Sequence, residues 1–251
     1  MSQVKNRIVI LPDTHTPNHH YQSINPILQF IKFYKPDILI QLGDFCDWDS
    51  VSSYEASKEN DIVTIEKEIS SANLLLDEID KACPKNCKKI MLGGNHEARY
   101  AAFVVKRGCE LSFKRMKDFS RWEIEYDLYN RGWDSFGYGS HVQIGKVVFT
   151  HGFFTGPNAA RRMADCFPGR NVIFGHTHQH LIYNCLDEHD FPIESESIGT
   201  LSRFDLSYLK GKPPINWVHM FEYIDMMENG RFSKHPVKII DGKFIEYGRI
   251  F

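Results

Sequence analysis

Five short stretches between Asp13 and His178 carry side chains that bind divalent metals. They are Asp13-Thr14-His15, Gly43-Asp44-Phe45-Cys46-Asp47, Gly94-Asn95-His96-Glu97, Thr150-His151-Gly152 and Gly175-His176-Thr177-His178. The expected donors mix carboxylate, imidazole and amide oxygen without thiolate, which suits borderline transition metals such as manganese, iron, zinc or nickel. Two such ions about 3.5–4 Å apart clamp a phosphoryl oxygen and activate a bridging water. One carboxylate must then be shared, and Asp44 is the natural bridge. Singly, each stretch is more often structural than catalytic. Together at strand ends, they favour a catalytic site.

The elements that must position these groups are legible as alternating apolar runs and helical spacing. Arg7 to Leu11 reads as a buried strand, and Tyr21 to Tyr34 carries Ile24, Ile27, Leu28 and Ile31 at helical spacing before Pro36. Asp37 to Leu42 is a second strand, Ile65 to Ile79 a second helix and Lys89 to Leu92 a third strand. Strand, helix, strand, helix, strand implies parallel neighbours joined by crossovers. His141 to Ile144 and Lys146 to Thr150 read as a hairpin, Asn158 to Cys166 as a short helix, and Val172 to Phe174 and Leu181 to Cys185 as strands. Asn229-Gly230 and Asp241-Gly242 are hairpin turns in an alternating C-terminal stretch. Every ligand stretch then follows a strand, and in open α/β sheets ligands gather at the carboxyl ends of strands. One domain over residues 1–251 is expected, with an aromatic-rich insertion or lid at about 106–140.

Composition narrows the class. The formal net charge of −2 offers no global attraction to long duplex nucleic acid or anionic membrane. No apolar run reaches membrane-spanning length, and Met1 to Lys5 is too polar for a signal peptide. Cys83 and Cys87 lack a partner pair at zinc-finger spacing, so free thiols in a reduced, cytoplasmic protein are expected. No coiled-coil heptads mark an oligomer interface.

The five stretches resemble those of the calcineurin-like metallophosphoesterase family, with every metal-ligand position filled. His151-Gly152-Phe153 and Ala159-Ala160-Arg161 leading into Gly175-His176-Thr177-His178 look like phage-encoded members, which would place the protein in a host cytoplasm. The resemblance implies two packed mixed β-sheets flanked by helices. It implies one metal held by Asp13, His15, Asp44 and His178 and a second held by Asp44, Asn95, His151 and His176. It gives His96 the role of protonating the leaving alcohol or orienting the phosphoryl group, with Asp47 holding His96 and raising its pKa. Attack of a metal-bound hydroxide on phosphorus is the implied chemistry, with manganese the expected metal.

One departure bears on substrate. Ser/Thr protein phosphatases of this family place Arg-Gly after the second stretch, where this chain has Trp48-Asp49. That argues against a protein phosphatase, and Trp48 beside the site suggests stacking on a base. Arg99 and Arg161 are candidate phosphate contacts. The favoured reading is a phosphodiesterase acting on nucleotides or single-stranded nucleic acid. The alternative is a phosphomonoesterase on a small metabolite or nucleotide, and a non-catalytic metal-binding scaffold ranks third.

Overall fold

The computed structural model describes residues 4–52, 63–110, 121–206, 209 and 216–251. Strand β1 (Val4–Leu11) shows how the layers arise. Its alternating side chains are buried on both faces: Ile8 and Ile10 point one way, and Val9 and Leu11 the other. Strands β2 (Ile38–Gln41) and β3 (Lys88–Leu92) repeat the pattern, with Ile40, Ile90 and Leu92 sharing the Ile8 face and Leu39 and Met91 the Val9 face. Such double-faced burial is the signature of parallel strands covered on both sides. β1, β2 and β3 indeed pair in parallel.

Helices α1 (Tyr21–Tyr34) and α2 (Ile65–Ala82) cover the Val9 face. α1 buries Ile24, Ile27, Leu28 and Ile31, then ends at Lys35 in a left-handed conformation just before Pro36. The opposite face meets a second sheet. Ile8, Ile10, Ile40 and Leu92 form one apolar layer with Val147, Phe149, Ile173 and Ile198. The second sheet has the order β5 (His141–Ile144), β6 (Val147–Thr150), β7 (Asn171–Phe174), β9 (Pro192–Ile198), β8 (His180–Leu186), with β6, β7 and β9 parallel. Helix α6 (Ala159–Cys166) packs on its outer side through Ala159, Ala160 and Met163. The result is helices, sheet, sheet, helix, as the family resemblance implies. Among the described residues no helix is long and apolar enough to cross a membrane.

The first sheet continues beyond the expected strands. Its order is β11 (Phe232–Lys238), β10 (Met220–Met227), β1, β2, β3, β4 (Trp133–Phe136). Strand β4 pairs in parallel with β3, and Trp122, Tyr126, Leu128 and Trp133 are buried in the helix-side core. The expected insertion at 106–140 therefore needs correcting. Residues 107–110 complete helix α3 (Asn95–Glu110), and the later part belongs to the sheet and its cover through the short helices α4 (Trp122–Glu125) and α5 (Leu128–Arg131). Residues 111–120 lie outside the described residues. Asn229-Gly230 turns β10 into β11 as expected. Asp241-Gly242 closes only a single bridge between Ile240 and Lys243, and the small hairpin of β12 (Ile245–Glu246) and β13 (Arg249–Ile250) turns at Tyr247-Gly248 instead.

Glu222 of β10 shares parity with Met220, Ile224 and Met226, so it points into the layer between the sheets. It is fully buried, and neither carboxylate oxygen has a hydrogen-bond partner among the described residues. Burial, and then the neighbouring Glu196, push its pKa well above the ordinary carboxylate range. Its contribution to stability is complete below the unfolded-state pKa of about 4.3 and drains away as pH rises above it. Glu222→Gln should therefore gain stability over the parent as pH rises from about 4 to 7. Urea midpoints measured across that range check this, and a constant difference between the two proteins would contradict it.

Candidate metal centre

The parallel strands of both sheets end at one edge, and the candidate site residues sit just beyond those strands. Asp13 and His15 follow β1, Asp44 and Asp47 follow β2, and Asn95 and His96 open α3 after β3. His151 follows β6, and His176 and His178 follow β7. The loops are cross-tied by backbone bonds: Thr14 and His15 N–H both donate to the Asp44 carbonyl (3.0 and 2.9 Å), and Gly175 N–H donates to the His151 carbonyl (3.1 Å). His15, Asp44, His176 and His178 all have positive φ, between 48° and 67°. Strained backbone of this kind persists only where the surroundings hold it, and it clusters at functional sites.

Asp44 is the centre of the arrangement. Its Oδ2 lies 3.4 Å from His151 Nε2, 3.8 Å from His96 Nε2 and 3.9 Å from His15 Nε2. Its Oδ1 accepts the His96 backbone N–H at 2.9 Å. Asp13 accepts the His176 N–H with both oxygens and stands 3.1 Å from His178 Nε2. Burial pushes both carboxylates upward in pKa, but the surrounding imidazoles, His151 foremost, hold Asp13 below and Asp44 well below the usual range. Ligand atoms of Asp13, His15 and His178 lie within 4.8 Å of one another, as do those of Asp44, His151 and His176. A third such group joins His15, Asp44 and His96.

Tautomers show that these groups suit cations. His151 Nδ1 faces the Leu42 carbonyl at 3.0 Å, so Nδ1 carries the hydrogen. In the neutral ring, the Nε2 lone pair then faces Asn95 Oδ1 at 3.0 Å and Asp44 Oδ2 at 3.4 Å. His15 Nδ1 meets Asp47 Oδ1 at 2.8 Å, turning its Nε2 toward His178 Nε2 at 2.9 Å. Lone pairs facing one another need a positive charge between them, either a proton or a metal. His178 Nδ1 is buried with no partner among the described residues. The donor set therefore fits divalent metals, with Asn95 contributing its amide oxygen.

His96 is held differently from the sequence expectation. Its Nδ1 lies 2.5 Å from the Asp47 carbonyl and 3.4 Å from the Asp47 carboxylate, whose Oδ1 is engaged by His15. Asp47 thus holds His96 through its backbone and His15 through its side chain. Arg99 reaches the site, with Nη1 3.3 Å from the Asp47 carbonyl and Nη2 3.4 Å from His96 Nε2.

Trp48 does not face a substrate. It is fully buried, stacked on Tyr100 at 3.9 Å, and its indole N–H donates to Tyr126 Oη at 3.1 Å. The ring completes the core under the loop because Tyr100 of α3 and Tyr126 close over it. Arg161 is exposed on α6, and no described contact brings it to the cluster. Its neighbour Arg162 lies over the Phe154 ring. Of the histidines near the ligand stretches, His180 is paired with Glu196 at 2.7 Å.

Glu97 lies in the first turn of α3 and also organises the neighbouring loop. Fully buried, it accepts the N–H groups of Asp44 (2.9 Å), Phe45 (3.0 Å), Cys46 (3.3 Å) and Gly94 (2.8 Å), and the hydroxyl of Tyr126 (3.1 Å). One carboxylate thereby shapes the loop that carries Asp44. The available signal was Gly94 at the helix cap with Glu97 three residues on, half of a capping box. Gly94 itself is required by close approach, since a Cβ there would overlap Asp44 Oδ1.

Against this geometry, comparison with known proteins is direct. A family model described as calcineurin-like phosphoesterase matches residues 6–180. The chain belongs to the calcineurin-like phosphoesterase family. Its relatives include the Gene 54 protein of Mycobacterium phage D29, 25% identical with 98% of each chain covered. The Gene 54 protein of Mycobacterium phage L5 is 22% identical, again over 98% of each. Phage-encoded relatives are what the fourth and fifth stretches led one to expect. Among solved structures, a single mutant of Vps29 from Entamoeba histolytica is similar over 94% of both chains, with 11% identity and a TM-score of 0.48. Family membership makes the chain a metal-dependent phosphoesterase.

Two outcomes follow from the centre. Glu97→Gln removes one of two acceptor oxygens from five donors, so manganese affinity should fall by about 10–100-fold, the usual cost of losing a group that orients ligands. Calorimetric titration of the folded variant measures this, and parental affinity would refute the role given to Glu97. The second outcome concerns protons. Burial disfavours charge on His15 and His151, yet Asp47 for His15 and Asp44 for His151, with the other carboxylates, raise both to about 9. Each must lose a proton before Nε2 can hold a metal. Manganese affinity should thus climb as pH rises toward about 9, by up to about tenfold per unit for each proton released. Titrations in buffers of different ionisation enthalpy would count the protons, and zero release at neutral pH would contradict the scheme.

Proposed function

We propose that the chain is a phosphodiesterase acting on nucleotides or single-stranded nucleic acid, with the phosphoryl group held at the Asp44-centred cluster. The observation that carries this reading is the cationic complement of the site. Among the described residues, hydrogen bonds bring one guanidinium, Arg99, to His96 and the Asp47 carbonyl. A diester presents one negative charge, whereas a monoester approaches two near neutral pH. A single guanidinium suits the diester.

Asp13, His15, Asp44 and His178 would hold one ion and Asp44, Asn95, His151 and His176 the other, with manganese the proposed metal. When bound, the ions would polarise the phosphoryl oxygen and lower the pKa of water. The remaining work belongs to side chains. The Asp47 carboxylate and the Leu42 carbonyl fix the ring orientations of His15 and His151. With His96 Nδ1 donating to the Asp47 carbonyl, Nε2 accepts from Arg99 and would have to take up a proton before it could protonate the departing alkoxide. Arg99 Nη2 beside that nitrogen would meet a phosphoryl oxygen. The overall charge of −2 fits a small or single-stranded substrate better than long duplex.

The test is hydrolysis of bis-para-nitrophenyl phosphate and para-nitrophenyl phosphate by chelator-stripped protein reloaded with manganese. Manganese-dependent diester cleavage is expected. Cleavage of the monoester alone would replace this reading with a phosphomonoesterase, and metal binding without cleavage would favour a scaffold. His96→Ala should retain metal yet slow a diester with a poor leaving group by about 10²–10⁴-fold. An unchanged rate on that substrate would remove His96 from the acid role.

A further inference from the structure

Beside the cluster, a cavity of about 700 Å³ is lined by His19, His20, Tyr21, Arg203, Phe204 and His219, among others. Its size lies within the range of small-molecule sites. Three of its rings form a continuous stack: His219 lies 4.3 Å from His20 at 11° and 3.9 Å from Phe204 at 22°. Phe204, at one end, is 38% exposed. A further flat ring could extend this stack.

The cavity also offers polar edges. His19 Nδ1 is buried and without a hydrogen-bond partner among the described residues. Arg203 and Asp205 form a two-pronged pair at 2.8 and 2.7 Å, and both are substantially exposed. A flat π-face with hydrogen-bonding groups at its rim is the combination that stacks and reads a base.

The cavity is built onto the metal centre. Leu201 N–H donates to the Asp13 carbonyl, and His20 N–H to the Leu201 carbonyl, both at 2.7 Å. Val218 N–H donates to the His178 carbonyl at 3.1 Å. Trp217 bridges the two regions, edge-on to His178 at 4.2 Å and to Phe204 at 6.0 Å. Phe204 therefore lies two aromatic contacts from the candidate ligand His178, by way of Trp217.

We propose that this cavity is the base subsite of the enzyme, taking the nucleobase of a nucleotide whose phosphoester lies at the Asp44 cluster. The inference rests on the phosphodiesterase reading for its substrate, but base binding needs neither metal nor phosphate. The probe is accordingly 2-aminopurine riboside, whose fluorescence is quenched on stacking, added to the chelator-stripped full chain. Saturable quenching is expected. Phe204→Ala should weaken it by about 5–100-fold, the usual range for losing an aromatic platform, and Phe204→Tyr should restore it. Phe204 is partly exposed, so thermal melting of each variant confirms that folding is retained, and Tyr21→Ala supplies a second, independent perturbation of the lining. Absence of quenching, or quenching indifferent to both alanine variants, would overturn the proposal. Manganese-dependent cleavage of bis-para-nitrophenyl phosphate, measured on the same parent preparation, reports separately on the phosphodiesterase reading, so failure of either is distinguishable from failure of the other.

Discussion

Two carboxylates, Asp13 and Asp44, are buried at the edge between two sheets, and everything around them answers the need for positive charge. Unpaired charge in a dry environment is prohibitively unfavourable. Here His15, His151 and His178 crowd the carboxylates, and their nitrogens face one another as well as the oxygens. Protons on His15 and His151 can neutralise the cluster, which explains why both titrate so high without metal. Divalent ions satisfy the same electrostatic demand while also satisfying the lone pairs. The site is thus a charge-balance problem with two solutions, and pH chooses between them.

The backbone is arranged to serve that cluster. Four ligand residues adopt positive φ, a region where Asn, Asp and His are the non-glycine types found most often. Ligand chemistry and backbone tolerance therefore favour the same residue types at these positions. The loop after β2 is organised by Glu97, whose carboxylate takes the place of the pairing a strand would have given those N–H groups. Gln41 contributes in a similar way, bonding both the N–H and the carbonyl of Gly43.

Much of this is legible in the chain before any coordinates are considered. The runs around Ile8, Ile40 and Ile90 announce buried parallel strands, because both faces of each are covered and so both parities are apolar. Ligands at the ends of those runs fall on one edge by topology alone. What escapes such reading depends on direction and on distant closure. Trp48 is buried only because Tyr100 and Tyr126 arrive from far along the chain to stack on it. Whether Asp47 offers His96 its carboxylate or its carbonyl is a matter of rotamer, which spacing does not encode. Strand β9 carries Glu194, Ser195, Glu196 and Ser197 inside a sheet, so polarity hides it. Strand β4, with Trp133 and Phe136 amid charged residues, is hidden likewise.

The candidate ligands are divided between the sheets, with Asp13, His15, Asp44 and Asn95 on one and His151, His176 and His178 on the other. The gap across which they meet is therefore fixed by the thickness of the apolar layer in which Ile10, Ile40, Phe149 and Ile173 interlock. Close-packed interiors transmit small volume changes rather than absorbing them. That layer acts as a gauge block: a methylene added or removed well below the site alters the spacing of donors above it. Side chains that touch neither metal nor substrate thereby take part in deciding which ion fits.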